Sequence, residues 1–471
     1  MLKHKRILLA SSIIAALGGL LFGFDTAVIS GTTAALQSRF ALTSGGLGFT
    51  VAVALIGTIM GALVAGFPAD RYGRRFVMFV LAIFYFASAL GSALAWDWYS
   101  FVVFRFLGGL AVGGASVVAP MYIAEIAPAR LRGRLVALAQ FNIVLGILLA
   151  FLSNYVVAQF GFGEIEWRVM FGVEAFPAAA YFALLFIVPC SPRWLLAKQR
   201  ESDSRRVLQM VGTDEGRSID EEVSEIKESL KRDCDARHEP LFQQRYMKPI
   251  MLAVAIAMFN QLSGINAILY YAPSIFQSVG ASGDSALLQS VGLGLMNLLF
   301  TVLAMIVIDF FGRRKLMLIG SVGYIISLGG VTWAFFTQSS LGVDGSPEFT
   351  GFGGVVVLVG LLLFIAAHAF GQGAVIWVFI SEIFPNNVRA RGLALGSFTH
   401  WIFAAAISWT FPVIAEASGG FVFAFYGICM VLQLLWVLWV MPETKGVPLE
   451  EIQKHLGANV SKGASTVCED M

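Results

Sequence analysis

Two stretches decide the fold: Asp70-Arg71-Tyr72-Gly73-Arg74-Arg75 and Asp309-Phe310-Phe311-Gly312-Arg313-Arg314. Each sits where one long apolar run ends and the next begins, so an acid followed by Gly-Arg-Arg recurs at the same place in the two halves of the chain. Moving outward, a second pair repeats: Glu125 with Arg132, and Glu382 with Arg389. A repeat of this kind implies a duplicated unit of six helices, and parallel repeats of helices characterise transporters whose substrate site lies between the halves near the membrane midplane.

The composition agrees with a membrane protein. The 471 residues are 58% hydrophobic and 13% charged, against about 25% charged in soluble domains, and the mean hydropathy is +0.78. The apolar runs are of roughly 20 residues or more, enough to cross a bilayer as helices. The first follows Lys3 to Arg6, runs from Ile7 to about Ser30 and contains Asp25 in place of a cleavage site, so it reads as a membrane helix rather than a removable leader. Eleven more are expected near 46 to 68, 76 to 96, 99 to 122, 135 to 158, 168 to 189, 249 to 272, 286 to 308, 316 to 337, 353 to 380, 392 to 415 and 420 to 441. With both termini in the cytoplasm, all of the 32 Lys and Arg except Arg39, Arg168 and the intramembrane Arg105 fall on the inner side, as the positive-inside rule requires. The expected organisation is a six-helix bundle over 1–190, a charged helical linker over 191–247 with a helical stretch from Ile219 to Leu230, a second six-helix bundle over 248–442 and a cytoplasmic tail over 443–471. Net charge of +2 gives no sign of a nucleic-acid partner, and Cys190, Cys234, Cys429 and Cys468 show neither disulfide nor zinc spacing.

The motifs resemble one family, the sugar porters of the major facilitator superfamily. They are GGLLFGFDTAVISG (18–31), DRYGRR (70–75), RFLGGLAVGG (105–114), PMYIAEIAPARLRG (120–133), PCSPRWLL (189–196), NQLSGINAILYY (260–271), DFFGRR (309–314), SEIFPNNVRARG (381–392) and PETKG (442–446). The resemblance implies an all-α membrane protein with twelve transmembrane helices in two pseudo-symmetric bundles, multi-pass in the cell inner (plasma) membrane, working as a monomer on a monosaccharide and a proton, with no cofactor, no metal and no catalysed reaction. Asp70, Glu125, Asp309, Glu382 and Glu443 lie near helix ends beside Arg74, Arg75, Arg132, Arg313, Arg314 and Arg389, where carboxylates and guanidinium groups can pair across the halves and latch the cytoplasmic side. The family pattern PESPR is broken here by Cys190, which leaves the first-half latch one carboxylate short.

Asp25 and Arg105 lie within apolar runs, where each charge costs at least about 2.5 to 3.5 kcal/mol. Beside a guanidinium a carboxylate keeps its charge, and a motion separating the two lets it take up a proton. Proton-linked sugar porters resemble this chain in carrying Asp and Arg at these positions, whereas the animal glucose uniporters have an uncharged residue at the first. Glu174 is a third buried acid, matching a Glu of the xylose-transporting members. A static salt bridge is the alternative reading of the pair, and a facilitative uniporter the alternative reading of the protein.

For the sugar, buried amides and aromatic faces are needed. Gln140, Asn260, Gln261, Asn266 and Asn297 supply amides; Phe22, Trp377 and Trp401 supply faces; Tyr270, with Tyr271, is placed to close over the sugar. His400 stands where better-known members have Asn or Gln. Ile147 stands where the xylose-transporting members have Gln and the glucose carriers Ile, which favours a hexose. Ser263-Gly264 and Gly371-Gln372-Gly373 are weak points where helices seven and ten can bend. His368 and His400 show no partners in the sequence that would make either a catalytic group.

Overall fold

The computed structural model describes residues 2–213, 217–236, 239–341, 347–349, 351–385, 387–447 and 452. Among them, eleven helical segments are long and apolar enough to cross a membrane. They are numbered here as spans in chain order, the sixth being the exception discussed below. Span 1 is Leu2–Val28, span 2 Ser44–Val64, span 3 Arg74–Ala93, span 4 Trp98–Ile126 and span 5 Ala129–Gln159. Span 8 is Gly283–Phe311, span 9 Arg313–Thr337, span 11 Arg389–Ala417 and span 12 Gly419–Trp439.

Three spans are broken. Span 6 consists of Glu166–Val173 and Ala175–Leu184, interrupted at Glu174. Pro177 accounts for the break: it has no N–H to offer the Val173 carbonyl, and its ring crowds that carbonyl. Each piece is too short to cross alone, which is why only eleven segments satisfy the length criterion although the chain makes twelve crossings. Span 7 consists of Met247–Leu262 and Ile265–Ser278, with Gly264 between them at φ +86°. That left-handed backbone favours glycine, and a Cβ there would strike the Tyr426 ring. Span 10 consists of Gly353–Phe370 and Gln372–Ile383, separated at Gly371. Both weak points identified in the sequence are therefore interruptions in the structure, while the break at Glu174 was not anticipated.

The repeated motifs have the same backbone. Gly73 (φ +97°, ψ 151°) and Gly312 (φ +86°, ψ 164°) each end one helix and start the next, so the duplication extends to the turn. The linker contains Pro192–Ala197, Glu201–Val211 and Ile219–Ala236, held by a small apolar contact of Leu196, Leu208 and Val223. Its last helix runs further than the sequence pattern indicated. A short antiparallel ribbon, Ser339–Leu341 with Pro347–Phe349, joins spans 9 and 10. Residues 448–451 and 453–471 of the expected tail lie outside the described residues.

The halves meet most closely away from the Gly-Arg-Arg motifs, at what is called here the opposite end. Gly48 of span 2 lies against the Trp409 backbone of span 11, and the Phe49 and Trp409 rings are 5.3 Å apart. Gly294 of span 8 packs on Leu148 and Phe151 of span 5, the Thr33 and Ser274 hydroxyls are 3.1 Å apart, and Ser44 donates to Glu416. Small residues allow this approach. The other end, rich in arginine, is the basic end.

Candidate functional site

Burial brings Asp25 and Arg105 together as the sequence led us to expect. Arg105 donates from one amine to Asp25 Oδ1 at 2.6 Å and from the other to the Asp25 carbonyl at 3.2 Å, and both residues are 2% exposed. The guanidinium also lies 5.3 Å from the Phe171 ring centroid, a favourable cation–π placement. Gly108 makes room for the pair, since a Cβ there would come within 3.2 Å of Asp25 Oδ1. Glu174 is buried in the same half, and neither carboxylate oxygen has a protein partner among the described residues. A buried ionised carboxylate without partners is costly.

The amide and aromatic cluster forms on the second half. Asn266 donates to Gln261 Oε1 at 2.9 Å, and Gln261 Nε2 donates to Asn260 Oδ1 at 3.0 Å. The same nitrogen lies 3.1 Å from His400 Nε2, so the imidazole nitrogen facing it accepts. His400 sits between Trp377 and Trp401, at 5.2 and 4.7 Å between ring centroids. Phe22 reaches across from the first half to Trp401 at 5.6 Å, and the Trp401 indole N–H is buried with no partner among the described residues. A narrow crevice lined by Phe22, Tyr270, Trp401 and Thr26 leads from here to Asp25 and Arg105.

Not every expected residue joins this cluster. Ile147 and Asn297 are buried on spans 5 and 8 and Gln140 is half-buried on span 5; no described hydrogen bond ties either amide to the others. Tyr271 is fixed on span 11, donating to the Ser408 carbonyl at 3.0 Å and stacking on Phe411.

One group escaped the sequence reading. Gln372 donates to Gln433, Gln433 donates to Ser321 at 2.8 Å, and the Tyr324 hydroxyl meets Gln372 at 3.3 Å and His368 Nδ1 at 2.5 Å. His368 and His400 thus each have hydrogen-bond partners, Tyr324 and Gln261. The signal was a glutamine buried inside an apolar run, which needs partners.

At the basic end the acids and arginines expected to form the latch pair as follows. Arg74 binds Glu125 at 2.8 Å and Asp70 at 3.0 Å; Arg313 binds Glu382 at 2.8 Å and Asp309 at 3.4 Å. These pairs lie within each half, not across the two. Arg132 is exposed, Arg389 donates to the Phe384 carbonyl at 3.4 Å, Arg75 donates to the Leu185 and Phe186 carbonyls, and Arg314 to those of Val437 and Leu438. Each Gly-Arg-Arg motif thus finds its acid at the end of span 4 or span 10 of its own half. In the linker, burial pushes Glu239 up, but hydrogen bonds from Tyr246, Asn387 and Arg245 outweigh it and hold its carboxyl below the usual range, tying the linker to the second half.

Glu443 caps span 9, accepting from the backbone N–H groups of Arg313 and Arg314 at 2.9 and 3.1 Å. Its counterpart at the start of span 3 is Cys190, which offers no carboxylate. Cys190→Glu is therefore expected to stabilise the first half by about 0.3–1 kcal/mol, the value of a negative charge at a helix N-terminus. A higher unfolding temperature in detergent is the measured result; an unchanged or lower one sinks the idea.

With the fold and site in view, comparison with known proteins is informative. The sequence pattern of the family described as "Sugar (and other) transporter" matches residues 11–456. The D-xylose-proton symporter of Escherichia coli (strain K12) is 38% identical over 94% of each chain. The glucose transport protein of Synechocystis sp. is 37% identical over 95% of this chain and 97% of its own. The partially occluded inward-open structure of the E. coli xylose transporter XylE superposes with a TM-score of 0.81, covering 94% of this chain and 99% of that one at 37% identity. The same protein bound to 6-bromo-6-deoxy-D-glucose gives 0.77 at 37% identity, over 95% of this chain and 99% of that one. Duplicated bundles, broken spans and a match over nearly the whole chain lead to one conclusion: the chain belongs to the sugar transporter family of the major facilitator superfamily, whose members are carriers and not enzymes.

Proposed function

We propose that the protein imports a monosaccharide together with a proton by alternating access, with the basic end in the cytoplasm and a single chain as the working unit. The observation that carries this reading is the buried Asp25–Arg105 pair with the unpartnered Glu174 beside it. A carrier that moved sugar alone would have no use for so costly a group. Asp25, Arg105 and Glu174 are the proton site in this reading. Asn260, Gln261, Asn266, His400, Trp377, Trp401, Phe22 and Tyr270 form the sugar site, with Gln140, Ile147 and Asn297 joining it when the halves approach.

The state described here is the inward-facing one. The close packing at the opposite end, the in-half ion pairs at the basic end and the higher TM-score to an inward-open relative support this. When the halves close at the basic end, Asp70, Arg74, Arg75, Glu125, Arg132, Asp309, Arg313, Arg314, Glu382, Arg389 and Glu443 exchange partners across the gap.

For the sugar we favour a hexose, because Ile147 presents an apolar surface to the C6 group. Xylose is the second reading, supported by the names of the E. coli relative and of the 35% identical D-xylose transporter of Levilactobacillus brevis. Uptake of labelled glucose, xylose and arabinose into proteoliposomes, with and without an imposed proton gradient, tests both points. Accumulation that ignores the gradient removes the symport reading and leaves a uniporter.

His400→Asn is expected to keep proton-coupled accumulation while changing the order of sugar preference, since it keeps hydrogen bonding to Gln261 but alters its reach. Loss of accumulation with exchange intact would instead put His400 on the proton path.

A further inference from the structure

Spans 1 and 4 face each other in a repeating register. Asp25, Gly18 and Ser11 are spaced by seven residues on span 1, and Gly108, Ala115 and Tyr122 by seven on span 4, a spacing that keeps each set on one helix face. The contacts match them in antiparallel order. A Cβ on Gly108 would lie 3.2 Å from Asp25 Oδ1, a Cβ on Gly18 would lie 3.5 Å from that of Ala115, and the Ser11 hydroxyl bonds that of Tyr122. Two turns of helix separate successive levels by about 10 Å.

Each level carries hydroxyl groups. At the first, Ser88 lies against Gly108; at the second, the Tyr181 hydroxyl lies against Gly18, whose carbonyl accepts from Tyr85 at 3.4 Å. At the third, Tyr122 donates to the Pro189 carbonyl at 2.8 Å. Pro189 adjoins Cys190, which lines a cleft of about 320 Å³ at the basic end with Arg75, Ser191 and Trp194. At these levels the side-chain oxygens of Ser88, Glu174 and Tyr181 are all buried and have no protein partner among the described residues. Isolated orphans of this kind are uncommon, and a row of them is the setting in which buried water is found.

Asp25 and Arg105 are 2% exposed, and the crevice lined by Phe22, Tyr270 and Trp401 that joins them to the sugar cluster is narrow.

We propose that the first bundle holds a hydrated conduit, separate from the sugar cavity, that carries the proton between Asp25 and the basic-end cleft at Cys190. This rests on the symport reading above. Transfer is by hand-off: each hydroxyl or water accepts a proton on a lone pair and releases its own to the next, so no group changes its net charge and only Asp25 gains or loses a proton overall.

The test uses the full chain in proteoliposomes enclosing a pH-sensitive dye, with D-xylose and D-glucose as probes. The double variant Ser88→Ala with Tyr181→Phe removes two conduit oxygens and keeps their packing. Sugar-driven proton flux is expected to fall by about tenfold or more, the scale on which a positioned proton-transfer group acts, while counterflow of labelled sugar at equal concentrations stays at the wild-type rate. If the double variant fails to assemble, the two single variants carry the same readout. Undiminished proton flux in variants that transport sugar overturns the conduit and leaves symport standing. No sugar-driven proton flux in the wild type overturns both.

Discussion

Asp25→Asn is expected to abolish uphill sugar accumulation while sugar counterflow continues. One proton crossing 100 mV supplies about 2.3 kcal/mol, which corresponds to roughly 50-fold accumulation; the variant should equilibrate its sugar and stop. The amide cannot be charged, so it carries no proton through the cycle, yet it retains an oxygen for the Arg105 hydrogen bond, which is 2.6 Å long. Labelled-sugar uptake at a fixed proton gradient decides the matter. Accumulation at the wild-type ratio would remove Asp25 from the coupling step and leave the pair as a static strut between spans 1 and 4.

Gln261→Ala is the second large effect, because one side chain holds the cluster together. Its carbonyl accepts from Asn266, and its amide donates to Asn260 and faces His400. Truncation removes the amide's proposed contact with sugar and releases three neighbours from their fixed orientation. With each neutral hydrogen bond worth on the order of 0.5 to 1.5 kcal/mol, the sugar dissociation constant should rise by about tenfold or more. Calorimetric or fluorescence titration reads this directly, and an unchanged constant would place the sugar elsewhere in the molecule. A rise confined to transport rate, with affinity intact, would count against the assignment equally.

Much of this architecture was legible in the sequence because membrane helices obey strong local rules. Apolar length marked the spans, the charge distribution proposed their orientation, and Gly73 and Gly312 announced the duplicated turns before their matching dihedral angles were seen. Asp25 and Arg105 could be paired from sequence because each is intolerable in a membrane alone. The break at Glu174 was missed for the converse reason: the span over 168–189 rests on apolar length, to which Pro177 contributes nothing unusual, whereas its effect falls on the carbonyl four residues earlier. The Gln372–Gln433–Ser321 group was missed because its members come from three different spans, and only packing brings spans 9, 10 and 12 together. Which partners the latch residues take was not legible, because residue types at helix ends say which groups can pair, while the distance between the halves says which do.

The seam at Gly48 has a consequence for how the two ends respond to their surroundings. Where span 2 meets span 11, backbone lies on backbone, and even one methyl on Gly48 would overlap the Trp409 carbonyl. Cohesion there comes mainly from shape and dispersion between atoms in contact, with Ser44 and Glu416 adding one polar tie. Dissolved ions weaken exposed charge pairs, and they have little hold on a dry joint of this kind. The two compartments on either side of the membrane therefore address the molecule unequally: changes in ionic strength are felt through the arginine-rich end, whereas the glycine seam answers chiefly to temperature, pressure and the lateral squeeze of the surrounding lipid.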